Sequence, residues 1–184
     1  MPRHRRERAG WSMKLLVVSD IHGRHDRLER VMQMHRDADA LIFLGDGLRD
    51  LEQADAYSYP FTVFAVRGNC DGFSLFTSPD DAPAEICVTL GGVKIFALHG
   101  HTRSVKSGLG EAMIAANERG AVLLLYGHTH REDWSYYPEG RELSNGERLR
   151  SPLYAFNPGS LGQDGSFGVV DIVDSGIMAS CGRI

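Results

Sequence analysis

Asp20 and His22, Asp46, Asn69, His99, and His128 and His130 each follow a short apolar run, in the segments SDIHG, FLGDG, RGNCD, ALHGH and YGHTH. Carboxylate, imidazole and amide oxygen are the donors that hard and borderline divalent ions take. A sheet delivers such side chains from the ends of its strands. Five such junctions in one chain point to a two-metal hydrolase centre. A pair of ions lowers the pKa of a bridging water or hydroxide toward neutrality and clamps phosphoryl oxygens during in-line attack. The donor set contains no thiolate, so manganese, iron, zinc or nickel fit it better than a structural zinc.

Spacing adds detail. Asp20 and His22 are two residues apart, as are His128 and His130, and in an extended strand end such pairs project to one side. Gly45 and Gly47 flank Asp46, which permits a sharp turn and leaves the carboxylate free to bridge two ions. Asn69 adds an oxygen ligand without adding charge.

The elements that must position these residues alternate along the chain. Residues 14–19 read as a buried strand and 24–35 as a helix, with Leu28, Val31, Met32 and His35 on one face at helical spacing. Residues 41–44 form the next strand and 48–56 a helix. Residues 61–66 form a third strand, apolar on both faces, so the first half is βαβαβ. After a Pro-rich loop at 78–83, two alternating runs joined by Gly91-Gly92 make a hairpin over 85–98. A helix over 105–119, a strand over 121–126, strands at 133–137 and 153–156 and a closing pair at 167–173 and 176–181 complete the chain. The polar stretch 138–151 lies in a hairpin-like insertion over 137–153 that caps the pocket or builds a dimer interface. The fold class is α/β.

Composition bounds the function. A chain of 184 residues, 42% hydrophobic, holds one domain with a real core. Its apolar runs stop well short of the roughly 18 residues a membrane helix needs, so no membrane partner is expected. Three cysteines, Cys70, Cys87 and Cys181, are an odd number, which suggests reduced thiols and a cytoplasmic protein. Cys87 and Cys181 fall on strands and read as core residues. Residues 1–12 carry four arginines against one glutamate, a balance of +3 that reads as a disordered basic leader. With a net charge of -4 for the whole chain, the domain over 13–184 therefore stands at -7. That field disfavours extended nucleic acid and favours a small phosphorylated substrate; a homo-oligomer is left open.

The ordered series D-x-H, GD, GN, H-G-H and GHTH, closed by Asn157-Pro158-Gly159-Ser160, resembles the calcineurin-like metallophosphoesterase superfamily. More narrowly it is similar to the small bacterial and archaeal phosphodiesterases of the YfcE and MJ0936 type, from about Met13 to the C-terminus. The resemblance implies two facing mixed β-sheets flanked by helices, with a dinuclear centre at the strand ends. One metal would be held by Asp20, His22, Asp46 and His130, the other by Asp46, Asn69, His99 and His128. Most superfamily members carry a histidine after the GN pair, and the subgroup, like this chain, carries cysteine, here Cys70. The resemblance thus leaves the general acid undefined, Cys70 being a poor proton donor; His101, Cys70 and Asp71 are the candidate catalytic residues, with His101 a phosphate contact. Asp50 and Asp71 read as carboxylates that orient ligands, and the Asn-Pro-Gly-Ser segment as a loop that supports the site. The expected activity is hydrolysis of a small, nucleotide-like phosphodiester. The alternative is a non-catalytic scaffold of the Vps29 type, disfavoured because all seven ligands are present.

Overall fold

In a computed structural model, residues 12–72 and 82–184 are described. Residues 1–11 of the expected leader and 78–81 of the Pro-rich loop lie outside them. Ten strands and four α-helices are found among the described residues.

The first sheet has the order β10-β9-β1-β2-β3. Its strands β1 (Ser12–Val18), β2 (Ala40–Phe43) and β3 (Thr62–Ala65) run parallel, and β9 (Ser166–Val173) and β10 (Gly176–Arg183) extend it antiparallel. The second sheet has the order β4-β5-β6-β8-β7. Here β5 (Val93–Leu98), β6 (Leu123–Tyr126) and β8 (Leu153–Pro158) are parallel, edged by β4 (Glu85–Leu90) and β7 (Glu132–Tyr137).

Strand alternation divides the apolar residues into layers. Leu15, Val17 and Ile42 of one sheet meet Ile95, Ala97, Leu123, Leu125 and Phe156 of the other in a dry seam. Leu16, Val18, Leu41 and Phe43 point the opposite way, onto Leu28, Val31 and Met32 of α1 (His25–Met34), Leu51 of α2 (Leu48–Gln53) and Leu161 of α4 (Leu161–Asp164). Phe96, Leu98, Leu124 and Tyr126 pack on Ala112, Met113, Ala115 and Ala116 of α3 (Gly110–Glu118). The result is the expected sandwich of two mixed sheets between helices.

Several sequence expectations need correction. Ser12 pairs with Val173, so the sheet begins inside the segment set apart as a leader. The third strand is not buried on both faces: β3 is an edge strand, with Thr62 exposed and Val63, Phe64 and Ala65 half-buried. The helix expected over 105–119 starts only at Gly110, because Ser104 and Gly108 take positive φ and end a short turn there. Cys87 and Cys181 are exposed, on strands β4 and β10 at sheet edges, where one face meets solvent. The 138–151 stretch folds back on itself through Leu143 N–H to Glu147 O at 2.8 Å and Leu149 N–H to Arg141 O at 2.9 Å. It docks on the α3 layer through buried Leu143 and Leu149. Asn117 holds it there, accepting from Arg150 N–H and donating to Arg148 O.

Candidate metal centre

The parallel strands of both sheets deliver the candidate ligands from their carboxyl ends: Asp20 and His22 beyond β1, Asp46 beyond β2, Asn69 beyond β3, His99 beyond β5, and His128 and His130 beyond β6. The loops are tied to one another by backbone. Asp20 N–H donates to Gly45 O, Ile21 N–H to Asp46 O and Gly127 N–H to His99 O, at 2.8 to 3.0 Å.

Local conformation departs from the extended strand end expected from the spacing. Asp20, His22, Asp46, His128 and His130 all take positive φ, between 48° and 66°. Only two other non-glycine residues do so among the described residues, Asp55 and Ser104. A left-handed backbone is unfavourable for L-residues and persists where the surroundings over-determine it, so its concentration on five candidate ligands marks a functional centre. Gly68 answers a different need. A Cβ there would collide with the Asp46 backbone N and carboxylate, so only glycine admits the Asp46 loop.

The side chains converge on two neighbouring clusters. In the first, His130 Nε2 lies 3.1 Å from Asp20 Oδ1 and 3.3 Å from His22 Nε2, which is 3.8 Å from both Asp20 Oδ1 and Asp46 Oδ2. In the second, His99 Nε2 lies 3.4 Å from Asp46 Oδ2, 3.2 Å from Asn69 Oδ1 and 3.2 Å from His128 Nδ1. Atoms bound at 2.0–2.2 Å to one ion stand about 3–3.5 Å apart, so these spacings suit a cation.

Protonation states agree. His99 Nδ1 lies 2.7 Å from the Leu44 carbonyl, which can only accept, so the proton sits on Nδ1 and Nε2 turns a lone pair inward. Gln163 Oε1, 3.1 Å from its Nδ1, orients the His130 ring in the same sense. The fully buried Asp20 Oδ1 has no hydrogen-bond partner. A buried, unpaired carboxylate oxygen facing imidazole lone pairs is costly unless positive charge joins it. The residues present therefore fit divalent metal.

Electrostatics follow from this crowding. Burial opposes charge on Asp46, but the adjacent His99 ring and a hydrogen bond from the Cys70 amide outweigh it and hold the carboxyl well below its usual range. Burial also works against protonated His99, yet Asp46 and Asp20 pull its pKa upward. Burial and the neighbouring His99 push His128 down to about 4, keeping that ring neutral.

The remaining candidates take distinct places. Asp71 spends both carboxylate oxygens on the backbone N–H groups of Asp46, Gly47, Leu48 and Gly68, at 2.7 to 2.9 Å. That clamp positions the Asp46 loop and leaves Asp71 poorly placed for proton transfer. Asp50 accepts from Gly23 N–H at 3.0 Å and so braces the turn that carries His22. Cys70 is exposed, and its Sγ lies within ligand distance of His22 and Asp46. Burial of the sulfur and the adjacent Asp46 raise its pKa, so it is a thiol at neutral pH. His101 is half-buried, with its ring 5.5 Å from that of His99 and 6.2 Å from that of His128. Burial and then His99 depress its pKa.

Two supporting residues, Ser19 and Gln163, escaped the sequence reading, while Ser160 lies in the segment read as supporting the site. Ser19 Oγ donates to Asp20 Oδ2 at 2.6 Å. Gln163 orients His130, and Ser160 both donates to Asp20 O and accepts from Gln163 N–H. The pattern Ser160-x-x-Gln163 matches a helix-capping sequence and was the available signal for α4. Asn157 completes the support, donating to Gly127 O and Thr129 Oγ1 at 3.1 Å.

The chain is similar to several known proteins. Phosphodiesterase YfcE of Escherichia coli is 31% identical, over 86% of this chain and 88% of its own. A conserved protein of Streptococcus pneumoniae, described as a predicted phosphoesterase, superposes with a TM-score of 0.70 at 24% identity, covering 95% of this chain and 91% of its own. Vacuolar Protein Sorting 29 of Cryptosporidium parvum shares the fold at a TM-score of 0.67 and 14% identity, covering 95% and 98%. At such identities the two structural likenesses establish the fold alone. Residues 13–175 match the family model of the calcineurin-like phosphoesterase superfamily domain, and with a relative at 31% identity over most of both chains, the protein belongs to that superfamily.

Proposed function

We propose that the protein is a phosphodiesterase that hydrolyses a small, nucleotide-like phosphodiester with two divalent ions, manganese ahead of iron, zinc or nickel. Asp20, His22, Asp46 and His130 would hold one ion, and Asp46, Asn69, His99 and His128 the other. The ions supply charge that lowers the pKa of water and offsets the negative phosphoryl oxygens. The chain's own residues do the rest. Asp46 stands between the clusters, with Oδ2 toward both His22 and His99, and Asp71 fixes its loop. His101, beside the second cluster, would contact a phosphoryl oxygen, and Cys70, a neutral thiol, stands beside His22 and Asp46. A thiol is a weak proton donor, so good leaving groups are favoured, and a singly charged diester suits the acidic domain better than a monoester.

The observation that carries this reading is the unpaired, buried Asp20 Oδ1 among imidazole lone pairs. A bound cation would offset the cost of such an arrangement, and turnover then separates an enzyme from a metal-binding scaffold. Metal titration with elemental analysis, alongside hydrolysis of bis(p-nitrophenyl) phosphate, tests it. Two ions per chain and manganese-dependent turnover are expected. Saturation at one ion, or no turnover with any of the four metals, would overturn it.

A further inference from the structure

Next to the first ligand cluster lies an open pocket of about 280 Å³, lined among others by His130, Arg131, Glu132, Asp164, Ser166 and Arg183. His130 belongs to both, so a substrate seated at the centre has this pocket within reach. One of the two lining carboxylates is engaged elsewhere: Glu132 Oε1 accepts from Arg183 Nη2 at 2.7 Å, from Arg183 Nε at 3.1 Å and from Ser166 Oγ at 2.8 Å. Arg27, nearby on α1, gives its guanidinium to Leu161 O and Gly162 O, at 2.9 and 2.8 Å. The Arg131 guanidinium has no hydrogen bond or ion pair among the described residues, directly after a metal-ligand candidate in the chain.

We propose that Arg131 and this pocket receive the half of the diester that carries a second anionic group, a further phosphate on a nucleotide-like substrate. The inference rests on the phosphodiesterase reading. A guanidinium offers a planar fork of donors that matches two phosphate oxygens. Around it the lining has the carboxylates of Glu132 and Asp164 and the one guanidinium of Arg183, so a second anion would be held by the Arg131 fork, not by a general positive field. The pocket is at the small end of ligand sites, room for part of a nucleotide and too little for a polynucleotide strand.

The test is equilibrium binding to manganese-loaded protein, comparing an adenosine bisphosphate with adenosine monophosphate. The wild type should bind the bisphosphate about tenfold tighter, the value of one good charge-assisted contact. In Arg131→Ala that preference should fall to about one, and Arg131→Lys, with charge but no fork, should keep part of it. No preference in the wild type, or an equal loss for both ligands in Arg131→Ala, would overturn the proposal. The second outcome would place Arg131 on the phosphate that both ligands share. Hydrolysis of bis(p-nitrophenyl) phosphate by the wild type is scored separately, so failure of the phosphodiesterase reading is distinguishable from failure of the pocket.

Discussion

Two histidine environments differ across the centre: in the inner cluster His99 rests on the buried sheet edge, whereas in the outer cluster His22 and His130 stand at the rim over a buried Asp20. The His99 side chain is 0% exposed and locked to a backbone carbonyl, while His22 is 34% and His130 29% exposed. His130 leans on Gln163, a side chain of the short helix α4, instead of on the sheet. A rigid, buried ligand such as His99 loses less freedom on binding than an exposed one, so the inner cluster should hold its ion more tightly than the outer one.

The largest effect that could break this contrast comes from the ligands. His99→Ala should lower turnover by about a thousandfold, since metal assistance contributes several kcal/mol. It should also remove the inner ion, with circular dichroism unchanged. His22→Ala should keep one ion at the same metal concentration. Elemental analysis showing equal loss from both variants would erase the distinction.

A smaller effect is expected one shell out. Gln163→Ala should weaken metal affinity at the outer cluster about 10- to 100-fold and leave the inner one unchanged, as read by stepwise titration. If both steps weaken alike, the support of His130 is not local.

Cys70 faces both clusters, and Cys70→His sharpens the account of what the centre lacks. Activity on esters with poor leaving groups should rise, on the order of tenfold, and more than on good ones, because imidazole can protonate a departing oxygen. Equal gains, or none, would show that leaving-group protonation does not limit turnover.

The smallest prediction uses His35, a histidine away from either cluster. Both its ring nitrogens are buried without a partner, and burial and then Lys14 depress its pKa below 6.5, against a weaker pull from Asp37. The unfolded chain therefore takes up the proton first. The neutral ring contributes its full stability above about pH 6.5, and that contribution is lost as pH falls from there to the depressed folded value. Between about pH 7 and 5 the wild-type Tm should fall more than that of His35→Leu, by about one to three degrees. An equal fall would remove the assigned role.

Most of the sandwich was legible because its signals are local. Alternation in the 85–98 hairpin, the apolar stripe of α1 and short buried runs before each ligand need only near neighbours to be read. The edge position of β3 was not legible, since an apolar run does not reveal how many strands flank it. The exposure of Cys87 and Cys181 escaped for the same reason. The docking of the polar 138–151 insertion depends on Asn117, far away in sequence.

The seven candidate ligands and their order along the chain were determined by the sequence alone, because metal chemistry restricts the residue types and strand ends restrict their places. Only the tertiary structure decided how they meet. Left-handed backbone at five of them, the Asp71 clamp, the Gln163 prop and the free Arg131 fork all follow from distant loops hydrogen-bonding across strand ends. Such bonds have no period and no composition, so they exist for the observer only when both sheets are in place.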